Sequence, residues 1–231
     1  MDYIEINQKL EKLDLQARIK WARAFWANKK ILLTTAFGLE GSALIHILSL
    51  LWPEVNFTNL DTGYQFSEVQ LVKQQLEMRY GIKIQLAKPD LDVVAYEKKH
   101  KGPLYTNNPN QCCFDRKVSV LKKLVKSYDV WISAIRRDQS FARANTPIIS
   151  KDDQFNVIKF CPLVDWRRKD TWSFIKKHQI PHSPLFEQGY TSIGCKPCTQ
   201  INPTPNNERA GRWIATSKTE CGLHYPIKKK L

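Results

Sequence analysis

Two short apolar runs, Ile31 to Thr35 and Val55 to Leu60, each pass through a small loop into a stretch with apolar residues at helical spacing. The first loop is Ala36-Phe37-Gly38-Leu39-Glu40-Gly41, followed by Leu44, Ile45, Leu48 and Leu51. The second is Asp61-Thr62-Gly63, followed by Phe66, Val69, Val72 and Leu76. A brief apolar run bounded by turn residues suits a strand buried on both faces. Repeated strand–loop–helix units specify an α/β fold, a mainly parallel sheet with helices on both faces. Ile82 to Leu86, Asp129 to Ala134 and Phe155 to Phe160 read as further strands, and Arg116 to Lys126 as a helix with Val118, Leu121, Leu124 and Val125 inward. Within residues 10–26, Leu15, Ile19, Ala22 and Trp26 follow the helical period, so residues 1–30 supply an N-terminal helix.

In sheets of this kind ligands bind beyond the carboxyl ends of the strands. The loops to inspect are 35–41, 60–64 and 134–143. Residues 88–111 read as an irregular excursion and 200–212 as a polar, proline-rich loop. No repeat or linker divides the chain, so 1–231 reads as one domain, with 200–231 as a C-terminal segment.

Lysine and arginine number 36 against 22 acidic residues, a net charge of +14, which calls for an anionic partner. No run approaches the roughly 20 apolar residues that span a bilayer, and the N-terminus lacks a basic stretch leading into an apolar one. The expectation is a cytoplasmic protein with no membrane partner. A chain of 231 residues needs no disulfides to stabilise its core, and in a reducing compartment six cysteines are better suited to metal binding or thiol chemistry.

Those cysteines fall into an adjacent pair, Cys112-Cys113, a Cys-x-x-Cys pair, Cys195 and Cys198, and two singles, Cys161 and Cys221. Four thiolates suit zinc or an iron–sulfur cluster, and the tandem pair makes a poor zinc knuckle, which tilts the choice toward a cluster. The alternative is four unrelated buried cysteines. Cys161, between Phe160 and Pro162, reads as core. Cys221 lies in Glu220-Cys221-Gly222-Leu223-His224, with Lys218 before it and Lys228, Lys229 and Lys230 after it, and positive charge lowers a thiol pKa. The Gly38 loop, between strand and helix, can offer N–H groups to a phosphate, although neither standard nucleotide fingerprint is present. Arg136, Arg137, Arg143, Arg209 and Arg212 lie in loops and suit phosphate or sulfate, and Lys117 follows the tandem cysteines closely. Nucleic acid is the competing anion, but most of the tryptophans fall on helices and strands, where they read as core rather than as base-stacking platforms.

Taken together, TTAFGLEGSALIHIL, NLDTGYQF, CCFDRKVSVL, WISAIRRDQSFARA, PLVDWRRKDTWSFIKKHQIPHSPLFEQGYTSIGCKPCTQ, ERAGRW and ECGLH resemble the assimilatory sulfonucleotide reductases, the adenylylsulfate and phosphoadenylylsulfate reductase family. These motifs run in the family's order from residue 34 to 224. The resemblance implies an adenine-nucleotide α-hydrolase-like fold with a modified phosphate loop, including Thr35, Gly38 and Glu40. It implies a substrate site at Leu60, Asp61, Gly63, Lys117, Arg136, Arg143, Arg209 and Arg212, with His224 positioning or protonating groups near Cys221. Cys221 is the implied nucleophile: it attacks the sulfur of the sulfonucleotide, the nucleotide leaves, and a reduced thioredoxin or glutaredoxin releases sulfite from the S-sulfocysteine.

Members carrying both cysteine pairs hold one 4Fe-4S cluster and mostly use adenylylsulfate. Cys112, Cys113, Cys195 and Cys198 therefore point to the cluster and to adenosine 5'-phosphosulfate as first substrate. The implied activity is oxidoreductase chemistry on a sulfur group with a disulfide as acceptor, in sulfate assimilation and cysteine biosynthesis. With seven residues after His224 there is no room for a fused thioredoxin, so the donor is expected to be a separate protein. Gly41 and Tyr64 depart from the cluster-bearing pattern, which leaves phosphoadenylylsulfate or dual use open. Two rivals stand beside this reading: a zinc-stapled nucleic-acid-binding protein, and an ATP-activating sulfurtransferase or ligase.

Overall fold

The computed structural model describes residues 2–204, 207–214, 216 and 218–224. Lys228, Lys229 and Lys230 lie outside the described residues.

The expected single N-terminal helix is two helices, α1 (Tyr3–Glu11) and α2 (Leu15–Phe25). Asp14 makes the break, because its carboxylate accepts from the Ala17 N–H at 2.8 Å and caps the second helix. Downstream come β1 (Ile31–Thr35), α3 (Leu39–Leu51), β2 (Asn56–Leu60), α4 (Ser67–Tyr80) and β3 (Ile84–Ala87). The stretch read as irregular holds α5 (Val93–Lys99), α6 (Leu104–Asn107) and the start of α7 (Pro109–Cys113). Their caps, Asp92 and Asn108, were the available local signals. A π-helical turn, Phe114–Val118, joins α7 to α8 (Ser119–Leu124). The chain continues through β4 (Val130–Ile132), β5 (Ile149–Asp152), β6 (Val157–Phe160) and α9 (Arg168–Lys177).

The sheet order is β3-β2-β1-β4-β6-β5, parallel except for β5, which pairs antiparallel with β6 at the edge. β5 escaped the sequence reading because only Ile149 of its residues is buried, so no apolar run marks it. Side chains alternate between faces along β1. Ile31 and Leu33 join the larger core with α2, α3 and α4, while Leu32 joins Trp131, Leu121 and Val157 under α8. Trp26, Trp52, Trp131 and Trp213 are buried, and Cys161 is core.

β1 pairs with β2 on one side and β4 on the other. The connections leaving β1 and β4 therefore diverge, opening a crevice at the carboxyl ends of the strands. Asn59 Nδ2 donates to the Thr35 carbonyl at 2.7 Å, and Trp131 Nε1 donates to Thr34 Oγ1 at 2.8 Å, fixing the strand ends that frame it.

Candidate active site

At the end of β1 the chain turns through Phe37, whose φ is +55°, and enters α3 at Gly38. Gly38 makes no side-chain cap bond, so no side chain competes for the first N–H groups of α3, whose residues line the crevice and offer a helix terminus suited to an anion. Gly41 is required by space: a Cβ there would lie 2.5 Å from Thr35 Oγ1.

Distant parts of the chain meet in one cleft, residues 191–195 among them. Thr35, Gly38, Glu40 and Gly41 come from the first loop, Leu60, Thr62 and Gln65 from the second, Ser133, Gln139 and Arg143 from the third. Glu208, Arg209 and Arg212 come from the turn after residue 207, and Cys221, Leu223 and His224 from the final described segment. Lys117 reaches the same cleft from the π turn. A π turn adds one residue to a helical turn and swings the residues downstream of it by about 100°, a device often found at functional sites.

Three residues expected at the substrate do not line this cleft. Asp61 accepts from the Gly63 N–H at 2.9 Å and faces Lys88, and Gly63 takes the left-handed turn (φ +76°) that this bond closes. Arg136 is fully buried beneath the cleft. Its guanidinium meets Glu40 at 2.8 Å and Glu208 at 2.5 Å, and it also pairs with Asp138. A side chain so committed ties the α3 entrance to the turn carrying Arg209, and this is a positioning role. Glu208, Asp138 and Glu220 were not singled out from sequence, because an acidic residue shows no sign of which buried arginine it will meet.

Cys221 sits among Lys117, Arg209 and Arg212. Burial raises its thiol, but the Lys117 ammonium, the Leu223 N–H and Arg209 together bring it below its ordinary value. The neighbouring Glu220 carboxylate accepts from Arg143 Nε at 3.0 Å and Nη2 at 2.8 Å, from Arg209 Nη2 at 3.1 Å and from Ser140 Oγ at 3.1 Å. His224 stacks on Trp131 with ring centroids 5.5 Å apart. Burial, then Lys159, Arg143 and Arg209, hold its pKa well below the ordinary range, so the ring is neutral and suited to positioning rather than to proton donation.

Cys112, Cys113, Cys195 and Cys198 line one small cavity beside this cleft, together with Thr62, Tyr64, Tyr105, Arg116 and Lys117. Burial pushes the Cys112 thiol up to about 12, and its three cysteine neighbours add to the effect. Burial likewise pushes Cys113 to about 11. Burial raises the Cys198 thiol as well, and thiolates gathered here need a positively charged centre among them. Among the described residues no group of three or more His, Cys, Asp or Glu is arranged to hold a single metal ion. Thr62 Oγ1 lies 3.2 Å from Cys195 Sγ. Trp213 Nε1, on the turn whose backbone bonds Cys198, is buried without a partner among the described residues. Tyr64 faces this cavity and not the cleft, with its hydroxyl donating to Glu97 at 2.8 Å.

The fold and site define a class: an α/β nucleotide-type crevice with a cationic lining and a cysteine presented by a C-terminal segment. The chain belongs to the phosphoadenosine phosphosulfate reductase domain family, which it matches over residues 30–201. It is 38% identical over 228 residues to the adenosine 5'-phosphosulfate reductase of Shouchella clausii (strain KSM-K16), covering 98% of this chain and 94% of that one. It is 40% identical over 219 residues to adenosine 5'-phosphosulfate reductase 2 of Bacillus subtilis (strain 168), covering 94% and 91%. Among solved structures it is similar to the phosphoadenylyl-sulfate reductase of Candida auris in its phosphate complex, with a TM-score of 0.76, 25% identity, and 86% and 96% coverage. The Candida glabrata FMN adenylyltransferase shares the fold alone, at TM-score 0.63 and 17% identity over 87% of this chain and 66% of that one.

Proposed function

We propose that the chain reduces adenosine 5'-phosphosulfate to sulfite and AMP in sulfate assimilation, with Cys221 as the nucleophile. The observation that carries this reading is the placement of Cys221 in the cleft beside Lys117, Arg209 and Arg212, with its thiol held below its ordinary value. The names of relatives that match over nearly the whole chain support the substrate.

The α3 terminus and the backbone around Leu60 receive the nucleotide, and the cationic side chains draw charge from the phosphosulfate oxygens. The Cys221 thiolate forms a bond to sulfur, and the sulfur–oxygen bond to the phosphate breaks with its electron pair leaving on AMP. Lys117, Arg209 and Arg212 stabilise the charge that gathers on the departing phosphate. A dithiol of the thioredoxin or glutaredoxin type, as a separate protein, then attacks the S-sulfocysteine, releasing sulfite and becoming a disulfide. His224, neutral and stacked on Trp131, keeps the segment seated during attack.

Cys112, Cys113, Cys195 and Cys198 would hold a 4Fe-4S cluster. When bound, that group supplies a charged centre beside Lys117. Cytoplasmic placement suits a reducing thiol donor; no helix among the described residues is long and apolar enough to cross a membrane.

The test is anaerobic purification with metal analysis and a visible spectrum, then sulfite release from adenylylsulfate and phosphoadenylylsulfate with reduced thioredoxin. About four irons per chain with faster sulfite from adenylylsulfate is expected. Zinc in place of iron, with no sulfite from either compound, overturns the reading.

A further inference from the structure

Glu220 stands immediately before the nucleophile and is the only acidic side chain between Thr219 and His224. Its carboxylate is held by donors from two other parts of the fold. Arg143 grips both oxygens through Nε and Nη2, Ser140 adds its hydroxyl, and Arg209 adds Nη2 from the turn after residue 207. The Glu220 and Arg143 side chains are 10% and 7% exposed, so the pair is shielded from water and from salt. Charge-assisted, forked bonds of this kind fix orientation as well as distance. On the other side of Cys221 the ties are neutral. Gln154 Nε2 donates to the Gly222 carbonyl at 2.9 Å, Leu223 packs on the smaller core, and His224 stacks on Trp131.

The proposed reaction makes opposite demands on this segment. Attack on the nucleotide needs Cys221 seated inside the cleft, whereas release of sulfite needs the same sulfur within reach of a thiol on another protein. Some contact must set the balance between these two placements. The charged clasp is the strongest tie described between the segment and the body, and it acts one residue from the reacting sulfur.

Arg209 connects the clasp to the ligand. It reaches Glu220 and the Thr219 carbonyl through Nη2, while its Nε is buried without a partner among the described residues. That unused donor belongs to the same guanidinium as the Nη2 that holds Glu220, and Arg209 lines the cleft, so an oxyanion there and Glu220 can share one arginine.

We propose that Glu220 is a positioning residue, whose clasp on Arg143, Ser140 and Arg209 seats Cys221 for attack and whose release frees it for the external thiol. This inference rests on the reading of Cys221 as the nucleophile. It divides the reaction: the clasp favours S-sulfonation and opposes the reductive half.

The experiment compares Glu220→Gln with the unaltered holoenzyme in the two half-reactions. Formation of the S-sulfo adduct is followed by intact-protein mass spectrometry in a single turnover without reductant. Release of sulfite is then timed from adduct prepared beforehand, with reduced thioredoxin. Adduct formation is expected to slow by about tenfold to a hundredfold, the scale of losing the placement of a reacting group. Sulfite release is expected to be unchanged or faster, AMP affinity no weaker, and alkylation of Cys221 by iodoacetamide at a pH above its titration several-fold faster. Ser140→Ala removes one uncharged strand of the clasp and gives the same split, smaller, should the Gln variant fold poorly. Equal slowing of both halves, or unchanged alkylation with unchanged adduct formation, overturns the inference. If the unaltered enzyme forms no adduct at all, the nucleophile reading fails instead; the alkylation comparison, which needs no substrate, still decides whether the clasp holds the segment.

Discussion

The Lys117 ammonium offsets the burial that raises the Cys221 thiol, and the same side chain lines the cavity of Cys112, Cys113, Cys195 and Cys198. One lysine, delivered by a π turn directly after the tandem cysteines, therefore serves two adjoining chambers. Cys221→Ser is expected to abolish both turnover and the S-sulfo adduct while leaving visible absorbance intact. Lys117→Met is expected to slow adduct formation by roughly a hundredfold or more, the usual scale for removing a preorganised charge from a developing anion. Intact-protein mass spectrometry and the visible spectrum check both; a serine variant that still yields sulfite refutes the assignment of the nucleophile.

Cys195→Ala breaks the four-thiol set, whose ligands close a loop of about 80 residues. Loss of iron and of visible absorbance is expected, with a lower melting temperature, because a bound centre that closes so long a loop contributes folding free energy. Iron retained at the level of the unaltered protein would mean that Cys195 is not a ligand.

Arg136 and Arg212 are expected to separate stability from binding. Arg136→Met leaves Glu40 and Glu208 facing each other without their shared cation, a loss of about 3–5 kcal/mol by comparison with other broken buried pairs. The melting temperature should fall by roughly 10 °C for a chain of this size. Arg212→Ala, at the wall of the cleft, is expected to lower kcat/KM through kcat, with a smaller thermal shift. Thermal unfolding and sulfite kinetics on the two variants check the contrast.

His46 on α3 contacts Tyr80, Phe174 and His178, and its pKa is lowered to about 4 by burial, then by His178 and Arg79. An unfolded histidine titrates near 6.5. Between these values the unfolded chain takes a proton that the folded one refuses, so stability falls as pH drops from about 6.5 toward 4. The loss is of order 3 kcal/mol when complete. Urea unfolding at pH 7 and pH 5 should show it, and His46→Gln should flatten the slope.

Tyr64, one of the two positions at which the resemblance implies a departure from the cluster-bearing pattern, lines the cysteine cavity. Tyr64→Arg is therefore expected to leave the ratio of rates on adenylylsulfate and phosphoadenylylsulfate unchanged, within about twofold. Sulfite assays on the two nucleotides check this, and a ratio shifted beyond twofold would show that Tyr64 acts on the cleft.

The sequence by itself determined the parallel sheet, the loops that line the cleft and the six cysteines in their groups, because each rests on local patterning. Buried strands must be apolar, the turn at Gly63 needs a left-handed residue, and thiol spacing is written in the chain. The single expected helix over 10–26, the silent edge strand β5 and the short helices after residue 92 were lost where a capping Asp or a half-exposed strand overrides periodicity. Tertiary structure alone decided which charges face the cleft. Arg136 and Arg143 lie seven residues apart, yet one is sealed beneath the cleft by three carboxylates and the other lines it and clasps Glu220. Apart from Asp138, the Coulombic partners here come from residues 70 to 100 positions away in the chain, and no local pattern encodes which of them a guanidinium will meet.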